Sequence, residues 1–162
     1  MNVFDFAMQM EIDGKAHYEK LAAGTSTAGL QNIFLKLAAD EQKHYEMIQA
    51  MKVGDDYGAM TSSTALDEAK NVFQGIMNDK TLLGGLRKDL DGYRYAMKVE
   101  VDSVKLYEDM AKKENSLEIV QLLLKIANEE KKHYNIMENL YDFVLAPQNY
   151  LAWAEFSNLK EF

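Results

Sequence analysis

DEQKHYEMI, residues 40–48, places Glu41 and His44 three positions apart, and EEKKHYNIM, residues 129–137, repeats the spacing with Glu130 and His133. The chain has 162 residues and three histidines, so two of them in nearly one phrase point to a duplication. Sliding the sequence on itself by 89 positions aligns two halves without a gap. Ala7, Met8, Glu11, Asp13, Tyr18, Glu19 and Ala22 land on Ala96, Met97, Glu100, Asp102, Tyr107, Glu108 and Ala111. Leu35, Lys36, Ala38, Glu41, Lys43, His44 and Tyr45 land on Leu124, Lys125, Ala127, Glu130, Lys132, His133 and Tyr134. A repeat constrains a fold more tightly than local propensities do.

The repeated unit reads as a helical hairpin. Pro147 is the only proline, and Ala, Leu, Met, Lys and Glu recur at helical periods, so the chain is expected to be all-α. The first helix spans about residues 2–24 and ends at GTST (24–27); the second spans about 28–52. The other half gives helices over about 90–113 and 117–143, divided at Glu114-Asn115-Ser116, where Asn115 and Glu118 have capping-box spacing. Between the hairpins, residues 53–89 hold Gly54, Gly58, TSST (61–64), a short helix over ALDEAKNVFQGIM (65–77) and Leu82-Leu83-Gly84-Gly85. A structureless link of that length would count against the assignment, whereas a crossover with its own helix does not. The architecture expected is one four-helix bundle domain over 1–162: hairpin 1 at about 2–52, crossover 53–89, hairpin 2 at 90–143 and tail 144–162. The tail carries Tyr150, Trp153, Phe156 and Phe162, and is expected to pack on the bundle or on a second subunit of a homodimer.

Composition removes several functions. No cysteine means no disulfide, zinc-thiolate site, iron–sulfur cluster or thiol nucleophile in these residues. A net charge of −8 argues against nucleic acid or an anionic membrane as partner. No apolar run reaches about 18 residues, so no membrane-spanning segment is expected. The N-terminus has acids where a secretory signal carries lysines, and a cytoplasmic location is expected.

The glutamates and histidines meet at one height. Glu11 and Glu41 are equidistant from Ser26 in the first turn; Glu100 and Glu130 are equidistant from Asn115 in the second. In an antiparallel hairpin such pairs face each other, here about 14 residues from the turn, or roughly 20 Å along the helix. His44 and His133 follow one helical turn later on the same face. Ala7, Glu11, Tyr18 and Ala22 form one stripe, and Ala96, Glu100, Val104, Tyr107 and Ala111 form its counterpart. Each glutamate thus interrupts an inward apolar stripe, the kind of break expected at a functional site. For the Glu and His residues to lie on solvated faces, the stripe would have to fail on all four helices.

Burying four carboxylates together is costly, because desolvation and like charge both oppose it. Two divalent cations balance the four charges, with neutral imidazoles completing the set. Oxygen plus imidazole without sulfur suits iron or manganese better than copper or structural zinc. Four inward glutamates, two of them in Glu-x-x-His, form the constellation of ferritin-like di-iron bundles and designed relatives. The candidate metal ligands are therefore Glu11, Glu41, His44, Glu100, Glu130 and His133.

At these residues the chain resembles the rubrerythrin branch of the ferritin-like superfamily, over about residues 1–143. The resemblance rests on Glu11, Glu41-x-x-His44, Glu100 and Glu130-x-x-His133, with Tyr18 and Tyr107 in support. It implies a ferritin-like four-helix bundle holding two iron ions, used by most members to reduce hydrogen peroxide and by some relatives to oxidise or store iron. Typical members append a rubredoxin domain with four cysteines, and these residues hold none, which implies an external electron donor such as a rubredoxin-like protein. Many members carry a second glutamate where Ser103 stands; its repeat mate is Gly14, so a symmetric six-ligand site is expected, without the glutamate that exchanges with a histidine on redox change.

Around the ligands, Asp40 and Glu129 are either acceptors for the histidine of the other hairpin or solvated acids. Tyr18 and Tyr107 are either donors to a ligand carboxylate, able to supply an electron or proton, or core tyrosines. Tyr45 and Tyr134 rotate off the metal face, and His17, whose mate is Leu106, reads as peripheral. The leading expectation is a di-iron peroxidase. The alternatives are a ferroxidase or iron store, a dioxygen-activating hydroxylase, and a purely structural bundle.

Overall fold

Helix starts and stops follow local chemistry. Asn2 caps α1, Val3–Gly24, its side chain accepting from the Asp5 N–H at 2.9 Å. After extended backbone at Thr25, α2 runs Ala28–Val53. Gly54 stops it in the left-handed conformation, φ 76°, returning its N–H to the Ala50 and Met51 carbonyls. Further on lie α3 (Ala65–Met77), α4 (Leu83–Leu86), a 3-10 turn (Arg87–Asp89), α5 (Leu90–Lys113) and α6 (Leu117–Leu145). This computed structural model describes residues 2–54, 63–77 and 83–146. The crossover positions Gly58, Thr61, Ser62 and Leu82, and the tail from Pro147 to Phe162, lie outside the described residues.

The N-cap expected at Asn115, with Glu118 completing a capping box, lies one residue later. Ser116 is the N-cap of α6, its Oγ accepting from the Ile119 N–H at 3.4 Å. The Glu114 carboxylate occupies the turn instead, accepting from the Asn115 and Ser116 N–H groups at 3.0 and 3.1 Å.

α1 packs along α2 and α5 along α6, giving the two hairpins; α1 also meets α5, and α2 meets α6. One apolar cluster joins the end of α1 (Tyr18, Leu21), the start of α2 (Leu30, Phe34), the start of α5 (Tyr93, Ala96) and the end of α6 (Ile136, Leu140). The other joins the start of α1 (Ala7), the end of α2 (Ile48, Met51), the end of α5 (Tyr107, Met110) and the start of α6 (Leu123, Ile126). The two turns therefore lie at opposite ends of a four-helix bundle, and the clusters flank a belt at mid-length. Each fully buried large side chain in them stabilises the fold by roughly 1.5–3 kcal/mol.

The crossover helix α3 covers α2 and α6, burying Ala65, Ala69, Phe73 and Ile76. Gly29 permits the close approach, because a Cβ there would stand 2.9 Å from Val72 Cγ1. Among the described residues no helix is long and apolar enough to cross a membrane.

Candidate metal centre

At mid-length the inward stripes carry charge in place of hydrocarbon. Glu11 on α1, Glu41 and His44 on α2, Glu100 on α5, and Glu130 and His133 on α6 are each at most 1 % exposed. They form two sets, Glu11–Glu41–His44–Glu130 and Glu41–Glu100–Glu130–His133, each offering ligand atoms within 4.8 Å of one another. The internal repeat exchanges the two sets. Glu41 and Glu130 belong to both, whereas the other four residues serve one each.

The surroundings repeat the exchange. His44 Nε2 lies 2.9 Å from Glu129 Oε1, and His133 Nε2 lies 3.0 Å from Asp40 Oδ2. Hydrogen bonds from the histidines outweigh burial and hold both acids below the usual carboxylate range. An ionised carboxylate only accepts, so each Nε2 carries a proton, and in the neutral imidazole Nδ1 keeps its lone pair. Those Nδ1 atoms face inward: His44 Nδ1 is 3.2 Å from Glu130 Oε1, and His133 Nδ1 is 2.9 Å from Glu41 Oε1. Both approaches are close but not aligned as hydrogen bonds.

Tyr18 O–H donates to Glu100 Oε1 at 2.7 Å, and Tyr107 O–H donates to Glu11 Oε1. Burial, reinforced by the neighbouring carboxylates, pushes both phenols well above their ordinary value, so they remain protonated donors. Each tyrosine thus reaches the glutamate on the opposite hairpin.

Seven polar atoms of the six residues are buried without a hydrogen-bond partner: Glu11 Oε2, Glu41 Oε1, His44 Nδ1, Glu100 Oε2, both Glu130 oxygens and His133 Nδ1. Buried polar atoms are normally satisfied, and leaving them bare costs stability. All seven are donor atoms of the type that hard or borderline divalent cations take. Burial and the surrounding carboxylates push Glu41 well above its usual value and Glu130 up to about 8. His44 and His133 are raised as well; burial opposes this, but Glu11 and Glu130 around one and Glu100 around the other prevail. In the metal-free chain, protons take up the charge that two cations would neutralise. The residues fit a dinuclear metal site.

Two neighbours support these residues through contacts that the sequence does not show. Gly14 leaves room for the Glu41 carboxylate: a Cβ there would stand 2.8 Å from Glu41 Oε2. Ser63 reaches both Asp40 and Glu129 from the crossover. Spacing picks out Gly14 as the repeat mate of Ser103 but not its contact with Glu41, which depends on helix packing, and it does not find Ser63, which depends on where the crossover lands. Ser103, the repeat mate of Gly14, is buried. His17 sits apart from both sets, donating from Nε2 to the Gly92 carbonyl at 2.8 Å, and Tyr134 donates to Glu138 at 2.7 Å. Tyr45 is half-buried.

A family model described as Rubrerythrin matches residues 2–141. The chain belongs to the rubrerythrin family. The family's ferritin-like four-helix bundle is the frame formed by α1, α2, α5 and α6, with the buried Glu/His sets at its centre. No curated protein and no solved structure matches the chain at a significant level. Within the rubrerythrin family, a buried pair of carboxylate/histidine sets points to a dinuclear metal centre.

Proposed function

We propose that the chain is a non-haem di-iron peroxidase, reducing hydrogen peroxide to two waters with two electrons and two protons. The observation that supports this best is the repeat-related pair of ligand sets sharing Glu41 and Glu130, buried and carrying the unsatisfied donor atoms. Glu41 and Glu130, common to both sets, would help hold both ions, and Glu11 with His44 and Glu100 with His133 would each help hold one; two Fe(II) bound there would supply one electron each and Lewis-acid polarisation of the O–O bond.

The chain's own residues set up that reaction. Tyr18 and Tyr107 hold the terminal carboxylates Glu100 and Glu11 at one oxygen, leaving the other oxygen without a hydrogen-bond partner. Glu129 and Asp40 fix the imidazoles with Nδ1 inward. The apolar clusters on either side exclude bulk water, which strengthens every charge interaction between them. Tyr18 and Tyr107 are the protonated groups nearest the terminal carboxylates and are the proton donors we assign. These residues contain no cysteine, so the reading requires an external electron donor, such as a rubredoxin-like protein.

The test is anaerobic loading with Fe(II), followed by rapid mixing with hydrogen peroxide or with dioxygen. Oxidation much faster with peroxide is expected. Dioxygen oxidation at an equal rate overturns the peroxidase reading, and uptake of many irons per chain into a hollow oligomer identifies an iron store instead.

A further inference from the structure

Nearly everything at the centre occurs twice; Ser63 occurs once. It stands in the single crossover, two residues ahead of Ala65, and its Oγ accepts from the Ala65 N–H at 3.2 Å in a local turn that leads into α3. That turn needs nothing more, yet Ser63 makes two further bonds. Its N–H donates to Glu129 Oε2 at 2.9 Å, and its hydroxyl donates to Asp40 Oδ2. Glu129 uses its other oxygen for His44 Nε2, at 2.9 Å. Asp40 uses the same oxygen for His133 Nε2, at 3.0 Å. One unbroken hydrogen-bonded string therefore runs from His44 through Glu129, Ser63 and Asp40 to His133.

We propose that Ser63 is a positioning residue for the metal centre, clamping the two outer carboxylates and so linking metal loading to the docking of the crossover on the bundle. This rests on the reading that the six residues hold two metal ions. The two branches differ chemically. The Glu129 branch uses the Ser63 backbone, which substitution leaves in place. The Asp40 branch uses the hydroxyl, which substitution removes. A repeat-symmetric set of ligands is thereby held by an unsymmetric support, and the His133 ion depends on the Ser63 side chain where the His44 ion does not. Outer hydrogen-bond partners of metal-bound histidines contribute about 10- to 100-fold to affinity. Linkage is reciprocal: if the docked crossover favours the ions, the ions favour the docked crossover.

The probe is Co(II), added to the full metal-free chain and followed by its visible absorption and by calorimetry. Wild type is expected to take two ions. Ser63→Ala should keep two sites with one weakened about tenfold, and Ser63→Thr should restore it. In an Asp40→Asn background, Ser63→Ala should have no further effect, because both act on one branch. Amide hydrogen exchange at residues 63–69 should slow on Co(II) binding in wild type, and less so in Ser63→Ala. Far-UV circular dichroism confirms that each variant keeps its helices. Equal affinities in Ser63→Ala and wild type, additive effects with Asp40→Asn, or exchange indifferent to Co(II) each overturn the proposal. Failure of the wild type to bind two Co(II) overturns the metal reading beneath it, a separate and recognisable result.

Discussion

Tyr18 on α1 donates its hydroxyl to Glu100 on α5 at 2.7 Å, across 82 residues of sequence. Its repeat mate Tyr107 donates to Glu11 in the same way. Each tyrosine lies seven positions after the glutamate of its own helix but serves the glutamate of the other. That exchange follows from the antiparallel course of α1 and α5: two helical turns past one glutamate on α1 is the height of the other on α5. The hairpins are thus tied to each other through the glutamates of the two buried sets.

Tyr18→Phe removes that tie without changing volume. It leaves Glu100 Oε1 buried without a donor, which costs about 1–3 kcal/mol in the metal-free chain. Urea unfolding should show a lower midpoint with an unchanged slope. Tyr107→Phe should cost a similar amount, and both variants should bind metal more weakly than wild type in a Co(II) titration.

The sharing of Glu41 and Glu130 between the two sets makes a sharper prediction. Glu41→Ala or Glu130→Ala should lower metal content from two ions toward none. Glu11→Ala or Glu100→Ala should leave one ion bound. Removing a carboxylate also relieves like-charge repulsion in the metal-free centre, so Glu130→Gln should unfold at a higher temperature than the metal-free wild type. Metal analysis by mass spectrometry and thermal unfolding of chelator-treated protein test the two statements. Loss of a single ion in both classes of variant refutes the shared-ligand arrangement.

The sequence carries the bundle and the six residues because both are periodic. A hydrophobic stripe with one charged interruption per helix, repeated at a shift of 89, fixes faces and heights without any tertiary information. The exchange of partners at Tyr18 and Glu100 was not legible, because the repeat says that the hairpins are alike and not that they run head to tail. Ser63 was not legible for a related reason: the landing point of a long crossover is set by packing of α3 on α2 and α6, which no periodicity records. The sequence places the start of α6 correctly but its N-cap one residue early, because the Glu114 side chain, rather than that of Asn115, satisfies the turn amides and Ser116 caps the helix.

Gly14 tests whether room for a ligand outweighs helix propensity. Gly14→Ala should stabilise α1 by about 1 kcal/mol on propensity alone. The new methyl would stand 2.8 Å from Glu41 Oε2 and displace a shared ligand. Ser103→Ala at the repeat mate leaves the centre its space. The expected result is a Gly14→Ala protein that unfolds no earlier than wild type without metal yet binds Co(II) more weakly, while Ser103→Ala binds it normally. Normal affinity in Gly14→Ala means that Glu41 does not need this position.

Stability of the metal-free chain should fall as pH rises from about 5 to 8. Burial, then Glu100 and Glu11, push Glu130 up to about 8 from an ordinary value of 4.5. Glu41, His44 and His133 are raised as well. A group with a raised folded value binds protons more tightly folded than unfolded. Its stabilisation is complete below the unfolded value and is lost as pH climbs through the folded one. Asp40 and Glu129 are shifted the other way, so their contribution is lost only at lower pH, below the ordinary carboxylate range. Metal reverses the trend. Cations compete with those protons, so the stabilisation from a fixed concentration of Co(II) should grow over the same interval, with protons released on binding. Urea midpoints of the chelated and loaded protein at several pH values, with proton release measured in weak buffer, test both slopes. A chelated protein whose midpoint rises from pH 5 to 8 would show that the four carboxylates do not share one desolvated centre.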